Sequence, residues 1–427
     1  VGDVVLEING KKIPNYSALQ HVLGPLYEGD EVSVKVSRGG KDQEFKGIKL
    51  LGTTTTYVNA YFGVLPLRDD PGPGVPVRFV YPNSPADAAG IKAGDRIMKF
   101  GPGNPQPIQN RAVLQSLLQR LSPGTEVKVE VKRKDGDKTE TLTVKLATVP
   151  DDEVAEKLPL PSSAGKALEA PKKDEPKKDP PKKDDPKKEE PKGKEPPADV
   201  RAVLGVQEKK DDKKEKPKVE TGFMTRTDEA LGREYWVFVP DNYDPNVSHG
   251  LMVWFHPAGE GGKDGEKVSK TFRDFAEDHH FILMGPKAKA VEGWVPSETE
   301  LVMQDVRAVL GQYTIDRSRV VAHGMANGGQ MAFYVGFNAR DVFRGVCTVG
   351  ATLGNPPKDN VANQPLAFFV SGGNKDPLFK EIVEGKNLLR EKRFPVVFRE
   401  MKDTGKEYFD EKTFADFLNW MDSLDRL

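Results

Sequence analysis

The chain has very little cysteine: Cys347 stands alone among 427 residues. A single thiol excludes an intrachain disulfide and leaves the redox compartment open. Its setting, Gly345-Val346-Cys347-Thr348-Val349, reads as an inert strand residue facing a core. Charge of one sign is lacking as well. Lys and Arg number 64 and Asp and Glu 65, a formal net charge of −1, so nothing steers the chain toward nucleic acid or an anionic membrane. Neither a signal peptide nor an apolar run of membrane-spanning length is visible. Histidine is scarce too. The adjacent His279 and His280 have no second pair at metal-ligand spacing, so no metal or other cofactor is expected.

A more telling absence lies in Gly324-Met325-Ala326-Asn327-Gly328-Gly329. Arg319–His323 before it reads as a buried strand, and Gln330–Tyr334 after it as the start of a helix. That is the setting of a G-x-S-x-G nucleophile elbow, whose glycines let strand and helix approach closely. Ala326 stands where the serine belongs. In such enzymes the triad runs serine, acid, histidine along the chain. The six histidines are His21, His249, His256, His279, His280 and His323, and none follows the elbow. Asp376, after the apolar strand Leu366–Val370, sits where the acid belongs. Lys406 falls in the loop that would supply the base, where a lysine is expected to pair with Asp376 and not to accept a proton. Losing nucleophile or base typically costs roughly 10⁶-fold in turnover.

Around the elbow, strands alternate with helical segments. Tyr235–Pro240, Leu251–Phe255, Phe281–Met284 and Pro395–Phe398 read as strands, and Glu266–Asp278 and Glu298–Tyr313 as helices. The alternation predicts a parallel sheet covered on both faces. Residues 219–427 resemble the polyhydroxybutyrate depolymerase and feruloyl esterase branch of the α/β-hydrolases. The resemblance rests on the Tyr-Val-Pro-like opening, the loop His256-Pro257-Ala258-Gly259, the stretch Ile315–Val320 and the double glycine after the elbow. It implies acyl-ester hydrolysis. Three departures argue against turnover: Ala326, Lys406, and Pro257, which removes an N–H donor from the oxyanion loop. No catalytic residue is therefore expected intact, and Ala326, Asp376, Lys406, His256, Pro257 and Ala258 mark the degenerate positions. His256 is expected to shape its loop and His323 to be a packed core histidine. Trp294 either lines a ligand cleft or covers the core.

The first part of the chain contains an internal repeat. Gly2-Asp3-Val4-Val5-Leu6 matches Gly94-Asp95-Arg96-Ile97-Met98. Ile13/Ile108, Asn15/Asn110, Leu19/Leu114, Leu26/Leu121, Gly29/Gly124, Val32/Val127 and Val36/Val131 then share one offset. Each copy reads as strand, loop, amphipathic helix and an alternating strand pair. Tyr61-Phe62-Gly63-Val64, Asn83–Ala86, Ala89-Gly90-Ile91 and the helix Arg111–Leu121 make the pattern similar to PDZ domains of bacterial HtrA-type periplasmic proteases. The resemblance is complete over 58–148 and partial over 1–51. The first copy opens at its Gly-Asp segment, so the chain is expected to be a piece of a longer protein. The resemblance implies binding of protein or peptide C-termini by strand addition, with Phe62, Gly63 and Val64 as the terminal-carboxylate loop. Pro66 has no N–H for the usual pairing and is expected to weaken recognition, shift its register or abolish it, the last leaving a purely structural module. Asn110-Arg111 at the helix start offers no evident specificity determinant.

Residues 149–218 form a Lys/Pro/Asp/Glu-rich segment built on units such as Pro171-Lys172-Lys173-Asp174-Glu175-Pro176, read as a disordered, solvated tether. The expected fold class is multidomain: β-rich PDZ-like domains, this linker, and an α/β-hydrolase-like parallel-sheet domain. The expected function is that of an adaptor whose degenerate esterase-fold domain binds a protein, small-molecule or ester ligand without turnover. The alternatives are the regulatory region of an HtrA-type serine protease and a weak ester hydrolase. An extracytoplasmic location is implied only by the resemblance.

Overall fold

A computed structural model describes residues 4–38, 41–51, 57–134, 136, 138–161, 219–228, 232–259, 262–362 and 364–427. The linker reading for 162–218, including the apolar island Val200–Val206, and the loop residues Glu260 and Gly261 fall outside them.

The C-terminal sheet has eight strands: β1 (Gly222–Asp228), β2 (Arg233–Val239), β3 (His249–Phe255), β4 (Phe281–Pro286), β5 (Ile315–Met325), β6 (Gly345–Val349), β7 (Ala367–Gly373) and β8 (Val396–Met401). Their spatial order is β1-β2-β4-β3-β5-β6-β7-β8. β1, β2 and β4 pair antiparallel, and the rest pair parallel. With a strand–turn–helix elbow after β5, this is the α/β-hydrolase arrangement. Five helices accompany the sheet: α1 (Gly265–His279), α2 (Thr299–Gln312), α3 (Asn327–Asn338), α4 (Phe379–Glu391) and α5 (Glu411–Asp422). All seven residues of β3 are buried, the continuous pattern of a strand covered on both faces. Phe417, Trp420 and Met421 of α5 pack with Val321, Cys347 and Phe369 of the central strands in one apolar cluster.

Residues 60–148 form a smaller β structure. Its main sheet runs, in spatial order, Thr139–Lys145, Glu126–Lys132, Arg96–Gly101, Val75–Val80 and Val64–Pro66. The helix Arg111–Leu118 closes the core through Leu114 and Leu118. Its N-cap is Asn110, whose side chain accepts from the Val113 N–H at 3.1 Å. Asn15, its sequence counterpart, caps Tyr16–Leu23 in the same way, accepting from the Ala18 N–H at 3.0 Å. Residues 4–49 hold a four-stranded sheet and that earlier helix, and among the described residues there Ile8, Val32 and Val36 are the buried apolar ones.

Residues 149–161, read from composition as the start of the tether, are packed. Ala155 and Leu158 are buried with Tyr61, Leu65 and Tyr81, and the Asp152 N–H donates to the Val396 carbonyl at 3.1 Å. Polar contacts add to them: Asp152 accepts from Arg390 and from the Phe398 N–H, and the Pro159 carbonyl accepts from Arg78.

The elbow glycines are forced by contact. A Cβ on Gly328 would lie 2.0 Å from the Phe255 carbonyl oxygen, and one on Gly324 would lie 2.5 Å from the Gly328 carbonyl carbon. Gly328→Ala is expected to cost at least about 3 kcal/mol, because backbone must move. Gly311→Ala, in α2 with no atom near the added methyl, should instead stabilise by about 0.5–1 kcal/mol. Urea unfolding followed by tryptophan fluorescence checks both. All four tryptophans, Trp236, Trp254, Trp294 and Trp420, lie in the C-terminal sheet domain.

Candidate functional site

Ala326 occupies the elbow with φ 54° and ψ −120°, a conformation that non-glycine residues rarely adopt. Its N–H donates to the Val349 carbonyl of β6 at 2.9 Å and its carbonyl accepts from the Gln330 N–H at 3.1 Å, fixing the turn between β5 and α3. Asn327 is the first residue of α3, so its N–H has no intrahelical acceptor. Its side chain is engaged with the neighbouring loop: Oδ1 accepts from the Trp294 N–H at 2.5 Å, and Nδ2 donates to the Trp294 carbonyl at 3.3 Å. Trp294, Asn327, Met331, Tyr334, Phe337 and Leu353 border a cleft of about 380 Å³ beside the elbow. Trp294 therefore lines a cleft and is itself buried, 5% exposed, with Nε1–H donating to the His256 carbonyl at 2.9 Å.

His256 has both ring nitrogens committed. Nε2 accepts from the Ala288 N–H at 3.1 Å, so Nδ1 carries the proton and donates to the Pro257 carbonyl at 2.9 Å. Asp376 is buried, and its Oδ1 accepts from the Leu378 N–H at 2.9 Å. The ion pair anticipated with Lys406 is not formed: Oδ2 of Asp376 has no hydrogen-bond partner. Lys406 is nonetheless adjacent. A methyl placed on Gly350 would meet Asp376 Oδ2 at 3.3 Å and Lys406 Cγ at 3.5 Å. The acid position and the base position thus converge beside the elbow.

His323 lies on β5 away from that convergence. It is fully buried, with Nε2 2.7 Å from the Tyr408 hydroxyl and its ring stacked on Phe409. Burial, only partly opposed by the Cys347 carbonyl, pushes it down to about 3. Burial likewise lowers His249 to about 4.

The second site is the groove beside Val64–Pro66. Gly63 has φ 90°, and a Cβ there would clash with the Ser84 side chain at 2.1 Å, so glycine is required. The Gly63 and Val64 N–H groups donate to the main-chain oxygen of Leu427, the last residue of the sequence, at 2.7 and 3.3 Å. The Leu427 N–H donates to the Val64 carbonyl at 2.9 Å. Leu427 is buried in the cluster that holds Phe62, Val64, Leu114 and Leu118. Phe62 contributes its ring to this core and its carbonyl to the Ala86 N–H, not an N–H to the ligand.

Sequence reasoning missed the charged groups around this tail. The Arg68 guanidinium binds Asp425 through Nε at 2.9 Å and Nη2 at 2.6 Å, and Asp422 through Nη1 at 2.7 Å. Arg111 reaches Asp425 Oδ2 at 2.5 Å and Asp316 Oδ2 at 2.9 Å. Arg78 binds the other oxygen of Asp422 at 2.5 Å. Burial works against each charge. For Asp422, Arg68, His279 (Nδ1 3.0 Å from Oδ2) and Arg78 together more than offset it, holding the carboxyl well below the usual carboxylate range. The one local signal is Arg111, a basic residue at the first position of the helix Arg111–Leu118.

Comparison with known proteins places these features. A PDZ domain model matches residues 1–50 and 51–146. The periplasmic serine endoprotease DegP of Salmonella typhimurium is 30% identical over 122 residues, 27% of this chain and 25% of that protein. A probable periplasmic serine endoprotease DegP-like of Halomonas elongata is 28% identical over 148 residues, 31% of each. The chain thus spans about a quarter to a third of the length of these curated relatives. Among solved structures, a ferulic acid esterase aligns with a TM-score of 0.40 and 18% identity over 48% of this chain and 98% of its own. An S-formylglutathione hydrolase from Staphylococcus aureus aligns with a TM-score of 0.38 and 11% identity over 47% and 97%.

Two expectations follow. Ala326→Gly should relieve strain of about 1–3 kcal/mol against an entropic penalty of about 0.5–1 kcal/mol, a net stabilisation of about 1 kcal/mol in thermal or urea unfolding. Stability should also fall below pH 6.5. An unfolded histidine binds its proton there, whereas folded His323 resists until about 3, so the stability present above pH 6.5 is lost progressively as pH drops. Between pH 6.5 and 4.5 the His323 share is on the order of 2–3 kcal/mol, and His323→Gln should remove that part of the pH slope.

Proposed function

We propose that this chain is a binding protein in which PDZ-type domains recruit or position a partner and a degenerate hydrolase-fold domain holds a ligand without turnover. The observation that carries the reading is Ala326: the elbow keeps its strained backbone, φ 54° and ψ −120°, with no hydroxyl to present. The cleft beside it, walled by Trp294 and Tyr334 with the Asn327 N–H at its edge, suits a small acyl or aromatic ligand oriented by one hydrogen bond. Pro257 contributes no second oxyanion donor, and the orphaned Asp376 Oδ2 has no histidine to orient. We assign the domains as 1–51, 58–148, a connecting segment, and 219–427, and place the protein outside the cytoplasm on the strength of its periplasmic relatives. The 30% identity to a serine endoprotease supports a second reading, in which residues 1–148 are regulatory modules of a protease.

The test is hydrolysis of short- and medium-chain p-nitrophenyl esters by the full chain. Wild type should not exceed the buffer rate. The double substitution Ala326→Ser/Lys406→His, which puts an imidazole beside Asp376 Oδ2, should raise turnover at least ~10²-fold above wild type. Wild-type turnover that survives Asp376→Asn would sink the non-catalytic reading.

A further inference from the structure

The PDZ-type groove is already filled by this chain. Leu427 makes the three main-chain hydrogen bonds of an added strand and drops its side chain between Val64 and the Leu114–Leu118 face of the groove helix. Pairing cannot continue, because Pro66 has no N–H to give. Side chains take over at that point. Asp425, two residues before Leu427, lies 2% exposed in a bidentate clasp from Arg68 and a third bond from Arg111. Charge-assisted, forked contacts of this kind are directional as well as strong. Asp422, at the end of α5, anchors the same Arg68 from the other side. The segment is thus recognised at three separate points: a main-chain oxygen, an apolar side chain and a carboxylate.

We propose that Asp425–Leu427 is a cis ligand of this groove, and that a peptide carrying an acidic residue, any residue and leucine in that order binds in trans only by displacing it. The proposal rests on reading residues 58–148 as a peptide-binding module. It gives that module a specificity, set by Arg68 and Arg111, and a closed resting state. A groove open for only a fraction of the time binds in trans with its affinity reduced by that fraction.

The probe is a decapeptide with the sequence of residues 418–427, fluorescein-labelled at its N-terminus, titrated by anisotropy into the full chain. Leu427→Lys, which puts a charge in the apolar pocket, should bind it at least ~10-fold more tightly than wild type. Adding Arg111→Glu should abolish that gain, and a probe with lysine in place of the aspartate should not bind. Equal binding by wild type and Leu427→Lys would overturn cis occupation while leaving peptide recognition standing. No binding to any folded form would overturn both. Hydrogen exchange on wild type needs no variant: the Gly63 and Val64 amides should be protected to the same degree at all protein concentrations. Fast exchange there, or protection that grows with concentration and so reports the tail of a second copy, would overturn the proposal.

Discussion

The structure depends on one guanidinium. Arg68 lies fully buried between Asp422 and Asp425, bonded to both carboxylates, with Arg78 and Arg111 completing the cluster. Such a group has no neutral form to retreat to, so its burial is tolerable only with the carboxylates in place. Exchanging the whole set for apolar residues would sacrifice little stability, but removing one partner leaves a charge stranded at a cost of roughly 3–5 kcal/mol. The cluster therefore acts on register. It fixes where the end of α5 meets the groove more stringently than apolar packing would, because a shift of one residue would leave a buried ion unpaired. Arg319 sits behind it, bonded to Asp316, and burial together with the neighbouring Arg68 lowers it to about 10.

Much of the fold was legible because local rules agree there. The glycines at 324 and 328, the apolar runs of β3 and β5, and the asparagine at the same place in each repeat carry their structural reason within a few residues. Asn15 and Asn110 both become N-caps, as their shared position relative to the following helix implies. The ionic cluster was not legible. Arg68, Arg78 and Arg111 lie 314 to 357 positions from the Asp422 and Asp425 carboxylates they bind, and look like ordinary surface charges in their own segments. Nothing local distinguishes Arg68 in Leu67-Arg68-Asp69-Asp70 from a solvated residue. Asp376 shows the converse: position in the chain identified it, but whether Lys406 would neutralise it turned on where a flexible lysine points, which spacing does not encode.

The elbow and the groove use the same device in different states. Each is a glycine-dependent turn whose backbone N–H groups bond a main-chain oxygen from elsewhere in the chain: Leu427 at Gly63 and Val64, Val349 at Ala326. At Gly63 the device is occupied, and the clash that forbids any larger residue comes from Ser84, the cap of the next helix. At Ala326 the backbone strain persists although the hydroxyl that would exploit it is absent. Strain of this kind persists only where the surroundings over-determine it, and here Gly324, Gly328 and the Val349 carbonyl do so. The turn is held this firmly because the packing of β3, β5 and α3 is built on it.

The segment from 411 to 427 touches both devices. Its helix places Phe417 against His323, ring centroids 4.6 Å apart, on the strand that ends in the elbow. Its last three residues fill the groove. Contact along such a route transmits nothing unless some element has two discrete arrangements that both sites bias. Occupied and vacated states of the groove supply that pair, since releasing Leu427 also uncovers Asp425 and frees one side of Arg68. Asp422 would then hold Arg68 alone, so α5 must either keep its packing and strain that ion pair or shift with it. A partner peptide that supplies its own acid and leucine restores the contacts that Arg68 loses, while Asp422 keeps its bonds to Arg68 and Arg78, and Arg111 its pair with Asp316.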